Sequence, residues 1–236
     1  MIVDHRTFIL KHTRLQRPPH TREIELYLAT EIEPIWRQTE AELQQQGLEP
    51  PFWAFAWAGG QALARYLLDH PEEVRGKAVV DFATGSGLVA IAAMKAGAAS
   101  CLGADIDPFC EAAVSLNAAA NGVEVSFTGQ DLLDARRPEA EVICAGDICY
   151  AWPLADRVRR WLEAAHAAGA RVLIGDPAPT FPARGCSPWP ATRCRPPANS
   201  RIARFAAPAS LPSAADWLEN KQRTAYGGGD ARGRQD

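Results

Sequence analysis

The run Val79-Val80-Asp81-Phe82-Ala83-Thr84-Gly85-Ser86-Gly87-Leu88-Val89-Ala90 constrains the fold of this chain more than any other. A short apolar stretch ends in an acid, passes through two glycines one residue apart, and enters an Ala-rich segment closed by Gly97. Continuous short apolar runs are the mark of strands buried on both faces, and parallel strands need a covering crossover, usually a helix. The glycines let the backbone turn sharply between the two elements and leave room for close approach.

The same alternation continues. The spacing predicts strands at Ala78–Val80, Ser100–Ala104, Val123–Phe127, Val142–Ala145 and Arg171–Ile174. Between them it predicts helices over Leu88–Lys95, Pro108–Ala120 and Pro153–Ala168. Pro108 suits a first helical turn, and Asn121-Gly122 a helix stop. Strand–helix alternation with short links implies an α/β, doubly wound, Rossmann-like and mostly parallel sheet covered on both faces. Upstream, Ile24, Leu28, Ile32, Ile35, Trp36 and Leu43 recur at helical spacings, so residues 22–46 are expected as a helix broken near Pro34. An aromatic loop, Phe52 to Trp57, and a helix over Gln61–Asp69 follow. Three segments result: an N-terminal helical extension and aromatic loop at 1–60, a core at 61–184, and a tail at 185–236.

The tail differs in kind. Residues 186–236 hold six prolines and eight Lys/Arg against four Asp/Glu, whereas residues 1–185 hold 17 Lys/Arg against 24 Asp/Glu. The overall charge of −3 is therefore a sum of unlike parts. Pro at this density does not build central strands, and only Ile202 to Ala207 is arguably apolar. The tail is expected to be disordered, or an out-of-frame or unrelated sequence; a natural basic arm for an acidic partner is the alternative.

Composition excludes several classes. The chain is neither a strongly basic nucleic-acid coat nor an acidic disordered chain. No stretch approaches the roughly 20 apolar residues of a membrane span. Arg6, Lys11, Arg14 and Arg17 make the start basic, but it lacks serine and a secretory core, so a cleaved signal is not expected. Cys101, Cys110, Cys144, Cys149, Cys186 and Cys194 form no C-x-x-C pair and no His lies at zinc-like spacing from them. Reduced thiols, a cytoplasmic location and no metal are expected.

In open α/β sheets ligands bind beyond the carboxyl ends of the strands. Gly85-Ser86-Gly87-Leu88-Val89-Ala90 fits the loose dinucleotide pattern G-x-G-x-x-G/A. Asp81 argues against a pyrophosphate, which a carboxylate at that strand end repels; it suits a cationic amine. Asp105, at the next strand end, can accept hydrogen bonds from ribose hydroxyls. A ligand with an amine, a ribose and no phosphate is S-adenosyl-L-methionine. Asp81 could also serve simply as a strand-end cap on the following loop.

These residues carry a resemblance. Val79 to Ala93 and Gly103 to Gly122 resemble motif I and post-I of class I, seven-β-strand S-adenosylmethionine-dependent methyltransferases. Pro51-Phe52-Trp53-Ala54-Phe55-Ala56-Trp57-Ala58-Gly59-Gly60-Gln61 is similar to the segment upstream of the core in protein-lysine methyltransferases of that class. Asp147-Ile148-Cys149-Tyr150 matches their D-x-x-Y signature. Arg171 to Pro177 resembles the fifth strand of the electron transfer flavoprotein β-subunit lysine methyltransferases, whose bacterial relatives are often labelled predicted nicotinamide N-methylases. The resemblance spans about residues 7–184.

The resemblance implies a protein substrate presenting a lysine and a role for each matched position. Asp81, Ala83, Thr84, Gly85 and Gly87 would form the donor-binding turn, with Asp81 near the methionine amine. Asp105 would bind the ribose and Ile106 cover one adenine face, with Asp131-Leu132 near the adenine amino group and Trp57 beside the cofactor. Asp147 and Tyr150 would be catalytic, accepting the N–H bonds of the acceptor amine. Asp176 would border the substrate entry. Plainer readings stay open: a turn acid for Asp131, core aromatics for Trp57 and Tyr150, a loop acid for Asp147. The family completes its sheet with a sixth strand and an antiparallel seventh; here these last two strands are expected to be missing or replaced, which leaves a cofactor-binding but inactive domain as an alternative. A small-amine N-methyltransferase and a nicotinamide-dependent oxidoreductase are the others.

Overall fold

The computed structural model describes residues 4–30, 51–148, 154–177 and 202–207. The chain opens with helix α1 (His5–His12), which the sequence reading missed. Thr13 ends it by returning both its N–H (2.9 Å) and its hydroxyl (2.6 Å) to the carbonyl of Ile9. Strands β1 (Arg14–Gln16) and β2 (Leu26–Leu28) then pair antiparallel, Leu15 opposite Tyr27.

This corrects the helix expected from residue 22. Ile24 and Leu28 are four apart and so satisfy a helical template, but Leu26 is buried with them. Burial at 24, 26 and 28 follows the two-residue period of a strand. Residues 31–46, the remainder of that expected helix, lie outside the described residues.

The short helical turn Phe52–Ala54 leads to helix α2 (Ala58–Asp69), so the boundary expected between 60 and 61 falls inside a helix. The core follows as β3 (Ala78–Phe82), α3 (Leu88–Lys95), β4 (Ser100–Ala104), α4 (Phe109–Ala120), β5 (Ser126–Thr128), β6 (Val142–Gly146), α5 (Leu154–Ala167), β7 (Arg171–Pro177) and β8 (Ile202–Ala207). Strand order is β5-β4-β3-β6-β7-β8, and every neighbouring pair is parallel. One face buries Val79, Cys144 and Leu173 with Leu63 and Leu67 of α2 and Ile91 of α3. The other buries Val80, Ile143 and Val172 with Val158 and Leu162 of α5. The sheet is thus doubly wound, as the alternation implied.

Two details differ from expectation. β5 sits later than Val123–Phe127. More importantly, the sheet does not stop at β7: the backbone of Ile202–Ala207 extends it, Val172 opposite Ile202 through Pro177 opposite Ala207. The tail therefore replaces one of the strands expected to be missing, because its least polar stretch can complete a ladder of main-chain hydrogen bonds without help from its prolines. Among the described residues no antiparallel strand joins this sheet. Nor is any helix among them long and apolar enough to cross a membrane.

At the amino ends of the strands, Arg171 pairs with Glu73 at 3.1 Å and Tyr66 donates to the same carboxylate at 2.7 Å. Burial works against the Glu73 charge, but these partners hold its carboxyl below the ordinary value. The cluster ties β7 to the end of α2, on the side of the sheet away from the strand-end acids.

Candidate functional site

Strand order reverses between β3 and β6: β4 and β5 lie to one side of β3, β6 to β8 to the other. A crevice opens at such a switch point, outside the carboxyl ends. The glycine turn after β3 lies here. Its backbone takes left-handed conformations at Ala83 (φ 55°), Gly85 (φ 51°) and Gly87 (φ 82°). A Cβ on Gly85 would meet nothing closer than Trp53 Cα at 3.9 Å, so the glycine leaves open a cradle that a side chain would fill.

Asp81 is only 1% exposed. Its Oδ2 accepts the Thr84 hydroxyl at 2.6 Å and the Ala90 N–H at 3.0 Å. Ala90 is the third residue of α3, whose own N-cap, Gly87, offers no side chain. Asp81 thus caps α3 from the neighbouring strand and ties Thr84, in the turn, to that helix. Burial pushes its pKa up to about 7, the Asp105 charge adds to this, and its two hydrogen bonds oppose it. The strand-end cap is the role its contacts display; Ala83 is exposed and Gly85 half-buried, so the turn rather than the carboxylate meets the crevice.

Asp105 holds the other side of the turn. Its Oδ2 accepts the Gly85 N–H at 2.9 Å and its Oδ1 the Asp107 N–H at 3.1 Å. Asp107 in turn accepts the N–H of Phe109, the first residue of α4, at 2.8 Å. Ile106, between them, is 65% exposed. Asp131 is half-buried and closes a turn onto the Leu133 N–H at 2.9 Å. Its neighbour Leu132 points the other way, into the core cluster with Val80 and Ile143.

The aromatic loop walls this crevice. Trp53 is buried and stacks on Phe109, ring centroids 5.4 Å apart and nearly parallel. Trp57 is half-buried, donates its indole N–H to the Phe52 carbonyl at 2.9 Å and sits at the N-cap of α2.

Asp147 follows β6 with φ 52°, a conformation Asp tolerates better than most residues. Its Oδ1 accepts the Gly59 N–H at 3.0 Å and its Oδ2 the Gly60 N–H at 2.7 Å. It therefore caps α2 from across the sheet, a negative charge at the positive end of a helix. Burial pushes its pKa up to about 7, against the two N–H bonds, and the Asp176 charge adds to the rise. Its N–H donates to the Gly175 carbonyl at 2.8 Å. Tyr150 lies outside the described residues. Asp176 is buried close to Asp147 at the end of β7.

Sequence reasoning missed the glycines that make this meeting possible. A Cβ on Gly59 would lie 2.3 Å from the Gly175 carbonyl oxygen, and one on Gly146 would lie 3.1 Å from Gly60 Cα. The Gly59-Gly60 pair ahead of a predicted helix, and a glycine before each of Asp147 and Asp176, were the available signals.

Asp81, Asp105, Asp131, Asp147 and Asp176 thus sit at or just beyond the carboxyl ends of β3 to β7. The partly exposed members of this row, Asp105, Asp131 and Asp147, repel phosphates and favour a cationic ligand.

Comparisons with known proteins agree with that chemistry. A family model described as ribosomal protein L11 methyltransferase (PrmA) matches residues 61–168. The chain is 42% identical over 174 residues to the electron transfer flavoprotein beta subunit lysine methyltransferase of Xenopus laevis, covering 73% of this chain and 70% of that protein. It is 42% identical over 159 residues to the protein of the same name from Rattus norvegicus, covering 66% of this chain and 61% of the relative. A crystal structure of a ribosomal protein L11 methylase from Lactobacillus delbrueckii subsp. bulgaricus is 31% identical, with a TM-score of 0.40 over 48% of this chain and 57% of that one.

Proposed function

Since the chain belongs to the family of electron transfer flavoprotein β-subunit lysine methyltransferases, within the S-adenosylmethionine-dependent methyltransferases, we propose that its crevice binds S-adenosyl-L-methionine and methylates lysine side chains of a protein. The observation that carries this reading is the row of strand-end carboxylates around an open glycine turn, which suits a cationic donor and a cationic acceptor. The residues fit the donor: Gly85 leaves a cradle, Asp105 keeps free lone pairs on oxygens already fixed by N–H donors, and exposed Ile106 offers an apolar cover. Ala83, Thr84 and Gly87 shape the turn, while Asp131 and Trp57 border it; Leu132 supports Asp131 from the core. Asp81 acts through the turn it braces.

When bound, the donor supplies an electrophilic methyl on a sulfonium. The chain's own task is to present a neutral amine in line with it. Free lysine has a pKa of roughly 10.4, so the acceptor must lose a proton before productive docking. Asp147, still with an unused lone pair on each oxygen, and Tyr150 accept N–H bonds of that amine and orient its lone pair. Asp176, buried beside Asp147, adds its negative field to that end of the crevice. A cytoplasmic site of action belongs to the same reading.

The test is transfer of a radioactive methyl group from S-adenosylmethionine to purified electron transfer flavoprotein β subunit, ribosomal protein L11, and small amines including nicotinamide. Methyl-lysine in the hydrolysate of a protein acceptor is the expected result. Label confined to small amines would replace the substrate class. Cofactor binding with no turnover on any acceptor would make this an inactive domain.

A further inference from the structure

Asn117, on α4, is 0% exposed. Its Nδ2 donates to the Ser86 carbonyl at 2.8 Å, and its Oδ1 accepts the Tyr27 N–H at 2.7 Å. Ser86 lies between Gly85 and Gly87 of the crevice turn; Tyr27 is the middle residue of β2. Four residues on, at the C-cap of α4, Asn121 grips the residue just before β2: its Oδ1 accepts the Glu25 N–H at 3.0 Å and its Nδ2 donates to the Glu25 carbonyl at 2.6 Å. The two amides replace the partner strand that residues 25–27 would otherwise need on this side. The surrounding fit is tight, since a Cβ on Gly87 would lie 3.2 Å from Val114 Cγ2 on the same helix.

The Asn117 amide cannot rotate to serve one partner without failing the other. A carbonyl can receive only the NH₂ side, and a backbone N–H only the oxygen. If β2 shifts, the buried Oδ1 loses its donor, a state costly enough to move the side chain and with it the Ser86 carbonyl. We propose that Asn117 is a positioning residue through which the seating of the N-terminal strand sets the shape of the glycine turn, so that the N-terminal segment tunes cofactor affinity. This rests on the crevice being the S-adenosylmethionine site.

The test uses the full-length chain and calorimetry with S-adenosylmethionine. Asn117→Asp keeps the acceptor for Tyr27 but faces the Ser86 carbonyl with a carboxylate; affinity is expected to fall about tenfold or more. Asn121→Ala touches no residue of the turn yet loosens β2, and is expected to weaken binding about threefold. Arg159→Ala, which breaks the ion pairs to Asp156 and Glu163 on the surface of α5, serves as the stability control. Wild-type affinity in either asparagine variant overturns the relay, as does an equal loss in the Arg159 variant. A wild-type chain that binds no S-adenosylmethionine refutes the proposed function instead. Should Asn117→Asp fail to fold, Asn121→Ala alone decides.

Discussion

Gly59 and Gly175 face each other so closely that a Cβ on either would sit within 2.3 Å of the other's carbonyl oxygen. The first turn of α2 therefore rests directly on the backbone of β7. Both obstructing atoms are main chain, so neither can step aside. Gly59→Ala is expected to destabilise the protein by about 3 kcal/mol, read as a lower midpoint in urea. Gly60→Ala, whose Cβ would meet ordinary contacts of 3.7 Å and beyond, is expected to cost much less.

Asp147 secures the same junction through its two carboxyl oxygens, which accept the Gly59 and Gly60 N–H groups. Asp147→Ala removes both acceptors at the start of α2 and is expected to lower stability by about 1–2 kcal/mol. S-adenosylmethionine binding should survive largely intact, while turnover at saturating cofactor falls about 10–100-fold because the acceptor is no longer aligned. Unchanged turnover in this variant would remove Asp147 from the acceptor side.

Asp105→Ala is expected to act on the donor side. The Gly85 and Asp107 N–H groups lose a charged acceptor, and the ribose loses its partner. Two such bonds correspond to about a 10–100-fold rise in the dissociation constant for S-adenosylmethionine, measured by calorimetry. Normal binding would sink that assignment.

Stability should fall as pH rises from about 4 to about 7. Asp81 and Asp147 have folded pKa values near 7, above the unfolded value of about 3.9. The folded state therefore binds more protons than the unfolded state between these limits, and stability drops as both acids ionise. Glu73 has the opposite sign: its lowered pKa adds stability above about pH 4 that is lost in acid. A maximum near pH 4 is expected in denaturant titrations, and Asp81→Asn should flatten the fall on its alkaline side by on the order of 4 kcal/mol. A slope identical to wild type in Asp81→Asn would show that Asp81 does not titrate there.

Much of this architecture was legible. β4 was read to the residue and β3, β6 and β7 to within a few, because strands buried on both faces write continuous apolar runs that end at an acid and a turn. The strand-end acids Asp81 and Asp105 were legible for the same reason: each closes an apolar run ahead of a turn. The N-terminal hairpin was not. Ile24 and Leu28 fit helix and strand templates alike, and what decides between them is the pair Asn117 and Asn121, about ninety residues away. Asn117 reads as an ordinary polar position in an Ala-rich helix, and Asn121 only as part of the stop that ends it. Asp147 was found as a strand-end acid, but its capping of Gly59 and Gly60 depends on how β6 and α2 meet in space, which no local pattern encodes. The β8 strand was hidden by its surroundings: a single six-residue run among prolines has no period to announce it.

The asparagine clasp also has a consequence in time. Glu25 and Tyr27 must wait for Asn121 and Asn117, which follow 96 and 90 residues later. At about 5–20 residues per second, that delay on the ribosome is about 5–20 s. Throughout it, Ile24, Leu26 and Leu28, fully covered in the finished molecule, have no α4 to lie against. The first strand pair to be synthesised is therefore among the last to find its place, and its apolar side is the part of the nascent chain most in need of a temporary guardian.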